Sequence, residues 1–394
     1  MKIGLYVPTW PPGSDANGIV TYAANAVPAL RRLGHEVVVI TPNLSSADPN
    51  AIDLRSYESR PPAWSRLASK ISRKASYRSL VSAVKHLAAT GRIEVIEIEE
   101  TFGWSREISR LDIVPVVVRL HGPWFLTKIF EDRARERKEL AAIKDATFVT
   151  APSRSVLDSV IKRCGPIIPR SAVVYNSIDL PDDQWRLETC DKNTLLFVGR
   201  FDEIKGGDLV IRAFGNLAQK NKNLKLTFVG RDVGINGCSV TDYARQHLSG
   251  DVFERVTFTG PLEPSHIEKL RPRHFITISA SRFEVFGYTI LEAMAFGCPI
   301  VAPNVGGIPE LITSEKEGIL FHAGSAESLS AACQTLIDNH KLAAQLGCEA
   351  RTKYLASFGT SRNAIHTAEF HRQAIEIFLT RDNPYRQLIA LSGR

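Results

Sequence analysis

Short apolar runs of strand length alternate with helix-length segments along this chain, and the pattern occurs twice. In the first half the runs are KIGLYV (2–7), EVVVI (36–40) and further stretches at 93–98, 114–120 and 147–150, with a helix expected over roughly Val20–Leu33. Runs this apolar suit strands buried on both faces, and strands separated by helices suit a parallel sheet. The segment from Asn176 to Asn193, which contains Pro, Asp and Asn, breaks the pattern and reads as a linker. A second series follows: LLFVG (195–199), LKLTFVG (224–230), VTFTG (256–260), FITIS (275–279) and CPIVA (298–302). Helices are expected over Ser325–Asn339, Lys341–Ser357 and Thr360–Thr380. The length of 394 residues favours two or three domains. The architecture this implies is α/β: two doubly wound domains facing each other across a cleft.

Composition bounds the class. Apolar content of 44% and charged content of 23% are those of an ordinary globular protein. The net charge of +7 is concentrated: between Arg55 and Arg92, Lys and Arg recur while Glu58 is the one acid. Six scattered cysteines form no CxxC pair, so neither a disulfide framework nor a zinc site is expected, and a reducing cytoplasm is the expected setting. The start, MKIGLYVP, enters a strand directly and does not read as a signal peptide. No run approaches the roughly 18 apolar residues of a membrane span. Contact with a membrane would be peripheral.

The densest chemistry lies in SRFEVFGYTILEAMAFGCPIVAPNVGGIPE (281–310). Tyr288–Phe296 reads as a helix ended by Gly297, which puts Glu284 on the preceding loop and Glu292 about one turn inside. Backbone N–H groups near Phe286 and Gly287, at the helix N-terminus, would favour an anion, and the two carboxylates would bind sugar hydroxyls. The ligand implied is a sugar attached to a phosphate.

In doubly wound sheets ligands bind beyond the carboxyl ends of the strands. After the strand ending at 199 comes GRFDEIKGG, with Arg200 and Lys205 five positions apart, a spacing suited to clamping a diphosphate. The first strand leads into PTWPPGSDANGIV (8–20), where Gly13 and Gly18 would let backbone amides approach a ligand. This loop is no GxGxxG, and hydride transfer is poorly supported. His121 follows the strand PVVVRL and would face the cleft, although a lone histidine is more often structural. The remaining histidines lack metal-ligand spacing and the chain has no Asp-x-Asp, so no metal and no cofactor are expected.

Taken in order, NGI (17–19), GHEVVVIT (34–41), HG (121–122), NSID (176–179), VGR-x4-KG (198–206), E-x7-E at Glu284 and Glu292, and GGIPE (306–310) resemble the retaining glycosyltransferases of family 4, which have the GT-B fold. The resemblance runs through nearly the whole chain. It implies an acceptor-binding N-terminal domain over 1–180, with 360–394 crossing back to it, and a sugar-nucleotide-binding domain over 190–359. It further implies that Arg200 and Lys205 grip the diphosphate and that Glu284 contacts the donor sugar. Glu292 would contact the ribose, and His121 the sugar near the reacting carbon. Members of the family commonly carry Gly after the first Glu; here Val285 stands there, so the turn must take ordinary backbone geometry or be strained.

The donor expected is a UDP- or GDP-sugar, consumed as a substrate, and the acceptor a glycan or lipid-linked molecule of cell-surface polysaccharide or glycolipid assembly. No nucleophilic carboxylate is evident, which suits same-face displacement through an ion-pair-like transition state. The basic stretch 55–92, with Trp64, Leu67 and Ile71 on one helical face, would suit an anionic bilayer at the inner face of the membrane; a solvated helix pair suits it equally. No motif for nucleic acid accompanies the charge. Two alternatives remain open: a non-catalytic sugar-nucleotide-binding subunit, or another GT-B enzyme such as a sugar-nucleotide epimerase.

Overall fold

The structure, a computed structural model, describes residues 1–12, 17–45, 48–57, 71–127, 132–165 and 170–380. The chain divides into two compact units, one of Met1–Tyr175 with Thr360–Arg394 and the other of Asn176–Gly359.

The first unit is built on a seven-stranded sheet: β1 (Lys2–Tyr6), β2 (Glu36–Thr41), β3 (Ala51–Asp53), β4 (Val95–Glu99), β5 (Val116–Arg119), β6 (Phe148–Ala151) and β7 (Arg170–Val173). Every pairing is parallel and the order is β3-β2-β1-β4-β5-β6-β7. All four residues of β5 and of β6 are buried, as expected of strands covered on both faces. The helix Gly18–Arg32 starts at Asn17, whose side-chain oxygen accepts from the backbone N–H groups of Ile19 and Val20, both at 3.0 Å. The last helix, Thr360–Thr380, belongs to this unit and packs on the helix Gly18–Arg32.

The second unit carries six parallel strands: β8 (Asp191–Val198), β9 (Lys225–Val229), β10 (Val256–Gly260), β11 (His274–Ile278), β12 (Ile300–Pro303) and β13 (Ile319–Phe321). Their order is β10-β9-β8-β11-β12-β13. The helix Gly207–Lys220 buries an apolar face that includes Leu209, Val210, Phe214 and Leu217 and packs against the helix Ala326–Asp338. The helix Tyr288–Phe296 ends at Gly297, which takes the left-handed conformation and receives the chain's turn into β12.

Both sheets reverse direction of strand order once, between β1 and β4 in the first unit and between β8 and β11 in the second. At such a reversal the loops leaving the two central strands diverge, one to each face, and leave a crevice. The expected helix Tyr288–Phe296 matches the observed bounds, as does Thr360–Thr380. The short strands β3, β7 and β13 add to the runs expected from the sequence. Residues 58–70, which hold Trp64 and Leu67, and Gly13 lie outside the described residues. Among the described residues no helix is long and apolar enough to cross a membrane.

Candidate functional site

In the second unit, the loops after β8 and β11 flank the crevice at the strand-order reversal, and they carry the charged residues. The backbone leaves β8 at Gly199, and Arg200 follows with half of its side chain exposed (51%). Arg200 Nε donates to Asp202 Oδ2 at 2.6 Å. That bond leaves the two terminal amino groups of the guanidinium as donors toward solvent. The other Asp202 oxygen accepts the backbone N–H of Lys205 at 2.8 Å, so one carboxylate sets both cations. Lys205 Nζ then donates to Glu284 Oε2 at 2.7 Å. Ser281 Oγ donates to the same oxygen at 3.1 Å. Glu284 is thereby held through one oxygen and presents the other.

The Glu284 loop is fixed by a second contact from the GGIPE segment. Gly306 has φ +56, and a Cβ there would lie 1.8 Å from the carbonyl oxygen of Glu284. That carbonyl also accepts the N–H of Gly307 at 3.2 Å. Only glycine permits the approach at position 306. Val285 is not among the positive-φ residues of the described chain; the left-handed step falls instead on Gly287, at φ +106. The turn therefore accommodates Val285 in ordinary geometry. Phe286 is buried against Phe358, with ring centroids 6.0 Å apart, so its side chain anchors the loop.

Arg282 braces the loop from the other side. Its guanidinium donates to both carboxylate oxygens of Asp208, at 2.8 and 2.6 Å, in the first turn of the helix Gly207–Lys220. Glu292, one turn into its helix, is paired with Arg271, whose side chain is 1% exposed. Asp202, Ser281, Arg282 and Arg271 were not singled out by the sequence. Asp202 lies inside the R-x4-K spacing and Ser281 opens the run that holds Glu284, so a local signal existed for both.

In the first unit His121 lies just past β5, mostly buried with only a part at the surface, and Gly18 stands at the start of the nearby helix. A Cβ on Gly18 would meet nothing within 4 Å. The His121 ring packs edge-on to Tyr22 at 5.3 Å, and the Arg119 guanidinium lies 4.3 Å from the centre of the Tyr22 ring. These residues line a cavity of about 10 Å³, the size of one water, together with Tyr6, Glu97 and Glu99. Burial, with the nearby Arg119 charge, pushes the His121 pKa down to about 3, so the imidazole is neutral at physiological pH.

The His121 backbone is clamped by Glu100. That carboxylate accepts the N–H of His121 at 3.0 Å and of Gly122 at 2.9 Å, and is 1% exposed. Burial, then the neighbouring Glu99 carboxylate, push the Glu100 pKa up to about 8 against these N–H bonds. Burial raises Glu99 to about 7. Nothing in IEIEE (96–100) marks the last residue as a loop clamp.

Among the described residues no group of three or more His, Cys, Asp or Glu could hold a metal ion. Residues 182–353 match the family model described as glycosyl transferases group 1, and residues 16–181 match that described as glycosyltransferase family 4. A D-inositol 3-phosphate glycosyltransferase of Paenarthrobacter aurescens (strain TC1) is 24% identical over 93% of this chain and 95% of its own length. Among solved structures, sucrose-phosphate synthase from Thermosynechococcus elongatus superposes with a TM-score of 0.77 at 20% identity, covering 94% of this chain and 98% of the other. Anabaena HepE in complex with UDP and glucose gives 0.70 at 20% identity over 95% of this chain and all of HepE. At these identities the likeness establishes the fold, which is GT-B.

Proposed function

Because this chain belongs to the group 1 glycosyltransferases, with a family 4 first half, and acts on nucleotide sugars, we propose that it is a retaining, metal-independent hexosyltransferase using a UDP- or GDP-sugar. The observation that carries the donor assignment is the linked set Arg200–Asp202–Lys205–Glu284 at the strand-order reversal of the second unit. Arg200 offers two terminal amino groups and Lys205 an ammonium, which suit a diphosphate. Each charge-assisted bond contributes roughly 1.5–3 kcal/mol. The unengaged oxygen of Glu284 suits a sugar hydroxyl, and that of Glu292 a ribose hydroxyl. His121, neutral, is suited to accept or donate one hydrogen bond to the transferred sugar. The complex of HepE with UDP and glucose, on the same fold, favours this reading.

In the proposed reaction the bond from the anomeric carbon to the leaving diphosphate breaks first. The acceptor oxygen then bonds to that carbon on the same face, and its proton passes to the departing phosphate oxygen. Arg200 and Lys205 stabilise the charge that develops on the diphosphate. Such preorganised donors are typically worth a factor of roughly 10²–10³ each. The acceptor is a glycan or a lipid-linked molecule bound by the first unit, in cell-surface polysaccharide or glycolipid assembly. The concentration of Lys and Arg in 55–92 favours an anionic acceptor or bilayer and a peripheral position at the inner face of the membrane. Nucleic acid is not proposed.

The test is turnover of UDP- and GDP-hexoses with candidate acceptors, followed by NMR of the new anomeric centre, with and without EDTA. The proposal predicts retained configuration and a rate unaffected by EDTA. Inverted product, or activity abolished by EDTA and restored by a divalent ion, would defeat it. Nucleotide binding with no turnover on any acceptor would point instead to a binding subunit.

A further inference from the structure

We propose that Arg271 is a positioning residue for the donor nucleotide, holding Glu292 so that a single carboxylate oxygen is aimed at the ribose. This rests on the donor assignment above and extends it to a residue outside the recognised motifs. Arg271 sits in the turn Arg271–Arg273 just before β11, 21 positions ahead of Glu292 in the sequence. Its side chain is 1% exposed, yet one terminal amino group donates to Glu292 Oε2, on a side chain that is 33% exposed. The pair therefore has one end in the core and the other at the surface. Among the described residues no protein hydrogen bond engages Glu292 Oε1, so that oxygen is presented outward.

The arrangement repeats the one at Glu284. There too a single oxygen, Oε2, takes the protein donors Lys205 and Ser281, while Oε1 is left over. Two carboxylates pinned in this way have fixed rotamers and one acceptor each. A glutamate at the second turn of a helix would otherwise sample several rotamers, and ordering it on binding would cost affinity. Arg271 removes that cost in advance. Its second terminal amino group is buried without a partner, so the guanidinium is not serving the core as a satisfied structural ion. A buried charge of this kind is more costly than an apolar residue of the same volume, which argues that the pair is retained for geometry.

The consequence is discrimination for ribose over deoxyribose. A hydroxyl donating to a fixed carboxylate oxygen distinguishes the two sugars by roughly tenfold to a hundredfold in Kd. The experiment measures, by calorimetry, Kd for UDP or GDP, whichever binds the wild type, and for its 2′-deoxy counterpart. Both are titrated into wild type, Glu292→Gln, Arg271→Met and Arg271→Lys. Met fills the Arg271 volume without a charge and should fold. The expected result is a ribose preference of at least roughly tenfold in the wild type. It should collapse to near unity in Glu292→Gln and Arg271→Met, with diphosphate-dependent binding kept. Preference unchanged in Arg271→Met would overturn the inference, as would a wild type that does not discriminate. Should Arg271→Met not fold, Arg271→Lys decides: its shorter, unforked ammonium should weaken the preference, and an undiminished preference contradicts the assignment. No binding of either nucleoside diphosphate to the wild type would overturn the donor reading itself along with this extension.

Discussion

A carboxylate next to a lysine is ordinary on a protein surface; what distinguishes Glu284 is that its partners leave one oxygen unclaimed. Arg200 and Lys205 differ in what they contribute to stability. Arg200 is half exposed and pairs with a neighbour two residues away, so Arg200→Ala should change stability by less than about 0.5 kcal/mol. The same change should weaken donor binding roughly tenfold to a hundredfold, read as KM or Kd. Lys205→Met should instead lower kcat/KM by roughly 10²–10³ if, as proposed, the ammonium meets charge that grows in the transition state. His121 carries a pH prediction. Its folded pKa of about 3 lies below the unfolded value, so the native state binds fewer protons below the ordinary histidine range. Its contribution to stability is then complete above roughly pH 6.5 and is lost as the pH falls toward 3. The His121 imidazole resonance should not titrate between pH 5 and 8, and activity should show no inflexion from it. Glu100 has the opposite sign: its folded pKa, near 8, is raised, so its contribution is full below the unfolded value and lost as pH rises through 8. A Tm-against-pH series on Glu100→Gln should lack that alkaline decline.

At the level of elements, the sequence was legible where burial is two-sided. The stretches Val37–Ile40 and Val116–Val118 are continuously apolar and fully buried, as suits strands covered on both faces, and they form most of β2 and β5. The edge strands β3, β7 and β13 are three or four residues long, too short for a period to mark them even where, as in the ILF of β13, they are apolar. β8 begins at Asp191, earlier than its apolar part, because the polar DKNT continues the ladder with Asp191 opposite His274. The site divides similarly. Arg200, Lys205, Glu284 and Glu292 stand in local motifs, whereas Arg271 and Glu100 act across 21 residues of separation by contacts that only the fold creates. The GGIPE segment is the most sensitive of these elements. Gly306→Ala would drive a Cβ into the Glu284 carbonyl at a left-handed φ, at a cost of roughly 1–3 kcal/mol, and should lower donor affinity as well. Gly34→Ala, also left-handed at φ +81 but with nothing within 4 Å, is the control: it should cost about 1 kcal/mol and leave donor binding unchanged.

Across the whole molecule, the chain leaves the first unit at Tyr175 and returns to it at Thr360. The returning helix is tied in by a buried pair: His371 Nε2 lies 2.9 Å from Glu97 Oε2 on β4, with both side chains at most 2% exposed. Burial pushes the Glu97 carboxyl up, but the His371 hydrogen bond and the His371 and Arg119 charges outweigh it and hold the pKa below its usual value. His371→Ala would strand that carboxylate and should destabilise the first unit by roughly 3–5 kcal/mol, seen as an early transition in calorimetry. The proposed seat of the donor nucleotide is the reversal between β8 and β11 in the second unit. Hydrogen–deuterium exchange with and without the nucleoside diphosphate that binds best locates that seat. Protection confined to peptides spanning 199–207 and 281–292, and abolished in Lys205→Met, is the predicted result. Protection centred on the first unit, with those two loops exchanging as in the free protein, would contradict it.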